Sequence, residues 1–166
     1  MLKKNTILIL FIGLILTSCE DDEPTTPALL LSSSSSSILV AGTATISLEI
    51  TDLKTAIFGI SMQISYNTSV VEVDTTNGIE QGVYFGTNAI SLFEIVHDTV
   101  HFSISAIGDD MVSGTGKLCD FKVTGLSSGT SPFTIVPEEI YFIDENGDEV
   151  IITNLEVGDL IITVSE

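Results

Sequence analysis

The side chains that could carry chemistry are few, and their spacing argues against most reactions. His97 and His101 are the only histidines. Two imidazoles flanking a hairpin turn could begin a metal site, but no cysteine or well-spaced third ligand accompanies them, so solvated turn positions are expected. Asp109-Asp110 and Glu138-Glu139 place carboxylates side by side. Neighbours on a strand point to opposite faces and cannot share a proton, so neither pair has the geometry of a glycosidase. No Ser/His/Asp order, glycine-rich phosphate loop or His-Glu-x-x-His word occurs. The chain therefore reads as non-catalytic. One cation candidate stands out: in Asp144-Glu145-Asn146-Gly147-Asp148-Glu149, the side chains of Asp144, Asn146 and Asp148 could offer oxygens to calcium. The segment lacks the twelve-residue spacing and terminal bidentate Glu of an EF-hand loop, and Asn-Gly is equally a hairpin turn. No other cofactor is expected.

Charge narrows the partners. The 166 residues carry five lysines, no arginine and 23 acidic residues, for a net charge of −18. Such a surface repels phosphate backbones and anionic headgroups, which excludes nucleic acid and electrostatic docking on lipid. It suits a saline or calcium-rich exterior, a basic protein partner, or simple solubility.

The N-terminus supplies an address. Lys3 and Lys4 precede an apolar run from Ile7 to Leu16, followed by Thr17-Ser18-Cys19. The run is too short to span a bilayer and has the length of a secretory core. The order of charge, apolar run, small residues and cysteine resembles a bacterial lipoprotein signal. The resemblance implies removal of residues 1–18 and acylation of Cys19, which would hold the protein to a membrane by its acyl chains. Residues 19–27, acidic and rich in Thr and Pro, read as a tether that cannot bury apolar surface. Glu20-Asp21-Asp22-Glu23 behind the cysteine also resembles the surface-export signal of some Bacteroidetes-type lipoproteins. An exported lipoprotein of the outer membrane or cell surface is the expectation. With Cys19 acylated, Cys119 has no disulfide partner and should survive by burial; it shares one strand parity with Phe121 and Val123.

Residues 28–166 must position whatever the protein uses. Beyond the signal no stretch keeps a helical period. Short β-branched and aromatic runs alternate with turn residues instead. In Thr43–Ile50, Ala44, Ile46, Leu48 and Ile50 share one face. In Phe58–Tyr66 the large residues Phe58, Ile60, Met62, Ile64 and Tyr66 share one parity, and Gly59, Ser61, Gln63 and Ser65 the other. Ser91–Val96 and Val100–Ala106 flank His97-Asp98-Thr99, with His101, Ser103 and Ser105 facing outward. Val70–Val73, Lys117–Val123, Phe133–Val136, Ile140–Ile143, Val150–Thr153 and Leu160–Val164 complete the set, Asn146-Gly147 joining two of them. Ser32–Ser37 reads as a linker by composition, or equally as a polar turn joining two edge strands. The fold class is all-β, an antiparallel sandwich.

Four segments resemble the cohesin domain, the receptor module for dockerins in cellulosomes and related assemblies. The first is Leu30 to Ile50, with Val40-Ala41-Gly42-Thr43 before an alternating strand. The second is Phe58 to Asn67 followed by Ser69-Val70-Val71-Glu72-Val73, similar to the family's strand ending in Tyr-Asp-Pro and its Leu-Glu-Val. The third is Gly114-Thr115-Gly116-Lys117-Leu118-Cys119-Asp120-Phe121-Lys122-Val123, similar to Gly-x-Gly-x-Leu-Ala-x-Ile-x-Phe. The fourth is Phe142, the Asp144–Asp148 turn and Gly158. The resemblance spans roughly residues 28–165 and implies a jelly roll of about nine strands. It also implies docking of a small, calcium-loaded helical partner on one flat sheet face. Carried over, the contact positions are Gly59 and Ser61 on one strand and Ser103 and Ser105 on another, with Gln63 and His101 extending the rows. Family members often place Asn, Asp or apolar groups where this chain has Gly and Ser. A flat Gly/Ser face still permits close docking, because short side chains obstruct little and lose little rotamer entropy.

Two other functions are open to a sandwich of this kind. A carbohydrate-binding module would need exposed aromatics to stack on a polysaccharide; the chain has no Trp, and only Tyr84, Phe85 and Tyr141 are candidates. A structural subunit would exchange edge strands with its neighbours.

Overall fold

The computed structural model describes residues 26–76, 78–108 and 110–166. The signal segment, Cys19 and all of the tether except Thr26 and Pro27 lie outside these, as does Asp109.

Alternation becomes strand wherever the sequence carries it. The strands β1 (Ala28–Ser33) and β2 (Ser37–Leu39) flank the serine run. Within it, the Ser33 hydroxyl donates to the Ser35 carbonyl and accepts from the Ser35 N–H, and Ser35 repeats the pattern with Ser37. Two successive Ser turns thus satisfy the backbone locally while the chain crosses between sheets. The strand β3 (Thr43–Ile57) buries Ala44, Ile46, Leu48 and Ile50, as their parity requires. It runs past Ile50, where the alternation stops. Irregular register steps between Leu48 and Ile57 shift the inward positions to Leu53 and Ile57, off the two-residue period.

Then come β4 (Gly59–Ser65), β5 (Val71–Val73), β6 (Ile79–Gln81), β7 (Ile90–Val96), β8 (Thr99–Ser105) and β9 (Val112–Gly125). β7 and β8 pair through Val96 and Thr99, so the turn is only His97-Asp98, with His97 at φ 58°. The chain closes with β10 (Gly129–Ile135), a 3-10 turn at Pro137–Glu139, β11 (Tyr141–Ile143), β12 (Glu156–Gly158) and β13 (Leu160–Ser165). Val150–Thr153 is not a strand. Val150 donates to the Phe142 carbonyl and Glu149 bridges Ile143, after which the run pairs with no strand among the described residues and Ile151 stays 75% exposed. A turn at Asn154 (φ 57°) then delivers the chain to β12.

One sheet has the order β12-β1-β3-β9, with β5 and β6 following each other along the free edge of β9. The other has the order β2-β13-β10-β4-β8-β7, and β11 continues along β4 where β10 leaves it. The sandwich is of jelly-roll type. It differs from nine antiparallel strands in two ways. Broken edges raise the described segments to thirteen, and β1–β12 and β2–β13 pair in parallel. β1 is consequently not an edge strand, since β12 covers it.

The core lies between the sheets. Phe121 projects from β9 into rings of the opposite sheet, 5.7 Å from Phe93 and 6.1 Å from Phe133, and Tyr66 stacks on Phe133 at 5.5 Å. Cys119 sits beside them opposite Leu48, buried. Burial first, then the Asp120 carboxylate, pushes its thiol up to about 12. The thiolate that alkylating reagents attack is therefore scarce and out of reach. Native protein at pH 8 should leave Cys119 unmodified by iodoacetamide over hours, and unfolding in guanidinium should expose it; fast native labelling in a mass spectrum would contradict this.

A candidate protein-docking face

The outer face of β7, β8, β4 and β11 is assembled by cross-strand register. One row reads Leu92, Ser103, Ser61, Tyr141; the next reads Ile90, Ser105, Gly59, Ile143. Beyond the first row lie Glu94, His101 and Gln63. The Ser103 hydroxyl donates to Ser61 Oγ at 2.9 Å, and the Gln63 amide donates to Glu139 Oε2 at 3.0 Å. The two serines form a low floor. Ile90 and Leu92, 65% and 63% exposed, rise on one side, and Tyr141, 46% exposed, with Ile143 on the other. Between the walls is an open, mainly apolar hollow of about 280 Å³.

The structure brings Ser61, Gln63, His101, Ser103 and Ser105 onto this face, as parity predicts. Gly59 belongs to the row but is not open to a partner. It is buried, and a Cβ placed on it would lie 3.2 Å from Ile143 Cδ1 and 3.1 Å from the Ile104 carbonyl. The β11 pairing that covers it is invisible to a reading of β4 alone. Sequence reasoning missed the walls. The signal in β7 was present: Ile90 and Leu92 face out while Phe93 and Ile95 pack inward, so that strand is apolar on both faces.

The other candidates separate. Phe85 is buried, and Tyr84 is partly buried against it at 5.1 Å, lying over Gly116 with its hydroxyl enclosed and without a partner. Neither can present a ring to a sugar, which leaves Tyr141. His97 sits in the β7–β8 turn and His101 in mid-strand, and no cluster of three or more metal-ligating side chains occurs among the described residues.

Asp144 organises its own turn. Its Oδ1 accepts the N–H groups of Asn146 and Asp148, each at 2.9 Å, and Gly147 takes the left-handed position at φ 82°. The Asp148 and Asn146 hydrogen bonds hold its carboxyl below the usual carboxylate range. A group depressed on folding stabilises the fold at neutral pH and loses that effect only as pH falls through its lowered value. Because Asp144 is committed to the backbone, melting midpoints in calcium and in EDTA should coincide; a rise of several degrees with calcium would overturn this.

The site is thus a low, recessed outer face between apolar walls on a curled two-sheet sandwich. The cohesin-domain family model matches residues 34–160, so this chain belongs to the cohesin family. Among solved structures it is similar to a non-cellulosomal cohesin from the archaeon Archaeoglobus fulgidus, at 15% identity over 86% of this chain and 93% of that one, with a TM-score of 0.66. It is also similar to a type II cohesin domain from the cellulosome of Acetivibrio cellulolyticus, at 18% identity, covering 83% and 95%, with a TM-score of 0.69. A cohesin from the same organism, solved in complex with a dockerin, shares 14% identity over 85% of this chain and all of that one, at a TM-score of 0.68. Among curated proteins no sequence matches.

Proposed function

We propose that the protein is a non-catalytic, membrane-held receptor that recruits a dockerin-bearing protein to the face of β4 and β8. The observation that carries this reading is the face itself: Ser61 and Ser103 form a floor low enough for another backbone to approach, between apolar walls that a partner would cover. Membership of the cohesin family supports a protein partner over a sugar. The inward packing of Tyr84 and Phe85 also weakens the sugar reading. Calorimetric titration with calcium-loaded dockerin modules from the same organism tests it. Saturable one-to-one binding is expected, and failure of every dockerin to bind would remove the reading.

The anchor is the second part of the proposal. Cys19 would be acylated after removal of residues 1–18, and residues 19–27 would hold the sandwich off the outer membrane or cell surface. Each buried CH2 contributes about 0.8 kcal/mol, so two or more chains on one cysteine retain a protein firmly. Cys19→Ala should leave the signal uncleaved and abolish labelling by radioactive palmitate; undiminished labelling would end the idea.

A further inference from the structure

We propose that the free edge of β7 pairs antiparallel with the β7 of a second copy of this chain, joining two sheets into one. Among the described residues β7 pairs with β8 alone. The strands at the other margins of the sheets, β2, β5, β6 and β12, are three residues each, whereas β7 has seven. An edge of that length is normally blunted by lysine, proline or a bulge. β7 has none of these: its one charge is Glu94, and its register with β8 is unbroken from Ile90 to Val96. Nor does the opposite sheet close over it. β6 reaches it through a side chain, Ser91 Oγ donating to Gln81 Oε1 at 3.1 Å. Glu72, Val73 and Thr75 stand off from Phe93 and Ile95 across an open hollow of about 410 Å³.

The hairpin decides which backbone groups are free. Across a two-residue turn Val96 and Thr99 exchange their own bonds, so Ile90, Leu92, Glu94 and Val96 bond to β8. Ser91, Phe93 and Ile95 turn their N–H and C=O groups away from it. Self-pairing about a two-fold axis at Phe93 satisfies all three: Phe93 bonds its counterpart, and Ser91 of each copy bonds Ile95 of the other. On the outer face, Ile90 then lies opposite Val96, 65% and 40% exposed in the single chain, and Leu92 opposite Glu94. An axis at Glu94 would set two glutamates face to face. An axis at Leu92 would set Ile90 against Glu94 and carry Val96 past the end of the partner strand.

An axis that joins antiparallel strands in this way is perpendicular to the sheet, so the outer faces of β4 and β8 in both copies look the same way. Each chain enters its sandwich through β1, in the opposite sheet. Residues 19–27 span about 30 Å at most. On the anchor reading above, both copies can therefore be held by one membrane with both of these faces turned from it. The pairing itself does not depend on that reading. A single strand edge falls short of the roughly 1,200 Å² of a stable interface, so the dimer is weak. Each copy carries a net charge of −18 before processing, so salt should strengthen the dimer by screening.

Sedimentation equilibrium of residues 19–166 with Cys19→Ser, a chain that holds every described strand, supplies the test. A reversible monomer–dimer equilibrium is expected up to about 1 mM protein, tightening at least threefold between 50 and 500 mM NaCl. Ser91→Pro should abolish the dimer while the melting temperature is retained, because the N–H it removes faces solvent in the single chain. Leu92→Lys would meet Glu94 across the axis. At 50 mM NaCl it should tighten the dimer at least threefold more than Ile161→Lys, the same change of charge at an exposed position of β13. Ile90→Cys combined with Val96→Cys should oxidise to a closed dimer. Neither single variant should crosslink at that rate, since each residue 90 lies about 20 Å from its counterpart. A monomer at 1 mM in 500 mM NaCl, or a dimer that Ser91→Pro leaves intact, would overturn the proposal. So would single variants that crosslink as fast as the pair, or no gain from Leu92→Lys beyond its control.

Discussion

Ser61→Arg combined with Ser103→Arg should lower affinity for a dockerin partner by at least about a hundredfold, equivalent to ~2.7 kcal/mol, without lowering the melting temperature by more than a degree or two. The serines pair with each other at the centre of the face, and each is half-buried by its neighbours rather than by the core. Two guanidinium groups there would stand in the floor of the hollow. A docked partner would have to bury them without counterions or lose contact with both walls, and either outcome costs more than an ordinary rim change. The fold should tolerate them, because both side chains point to solvent and the strands keep their ladder. Calorimetry with wild-type and double variant, alongside thermal melts, checks the claim. Retained affinity at an unchanged melting temperature would place the interface elsewhere.

Phe121→Ala should destabilise the domain by about 3–5 kcal/mol, the range for deleting a buried aromatic ring. For a domain of this size that is a fall in melting temperature of roughly 10–15 °C. Phe121 is fully buried and is the ring that the β9 sheet inserts among Phe93 and Phe133 of the opposite sheet. Its removal would leave a void touching both layers, and strands tied into two ladders can close it only in part. Denaturant melts read the change directly. A loss under about 1 kcal/mol would mean that the sheets collapse onto the gap far more readily than a packed sandwich should.

These two residues also show how differently the molecule can be read. Phe121 is visible from its strand alone: Cys119, Phe121 and Val123 alternate with Asp120 and Lys122, and period two assigns them inward. The same rule assigns Gly59, Ser61, Gln63, His101, Ser103 and Ser105 outward, and the structure agrees for all but Gly59, which β11 buries. It fails where the strand departs from a regular ladder. Leu53 and Ile57 were hidden by the irregular register of β3 against β9. Val150–Thr153 has strand-forming residues, but after one contact with β11 at Val150 it pairs with no strand among the described residues.

The sequence by itself determined the class of fold and, where a strand keeps a regular ladder, the side that meets the core. It also determined the burial of Cys119, because side-chain alternation belongs to one strand and needs no knowledge of its neighbours. The tertiary structure alone decided which strands lie side by side. Only the pairing of β11 with β4 sets Tyr141 beside Ser61, eighty positions away in the chain, and lays Ile143 over Gly59. Only the β7–β8 hairpin, seated against β4, raises Ile90 and Leu92 as the opposite wall. Parity is local chemistry, whereas strand order and long-range register come from the best joint packing of both sheets. The candidate face depends on the second kind of information: its serine floor and the outward apolar residues of β7 could be read from the sequence, whereas the meeting of Ile90 and Leu92 with Tyr141 and Ile143 across that floor could not.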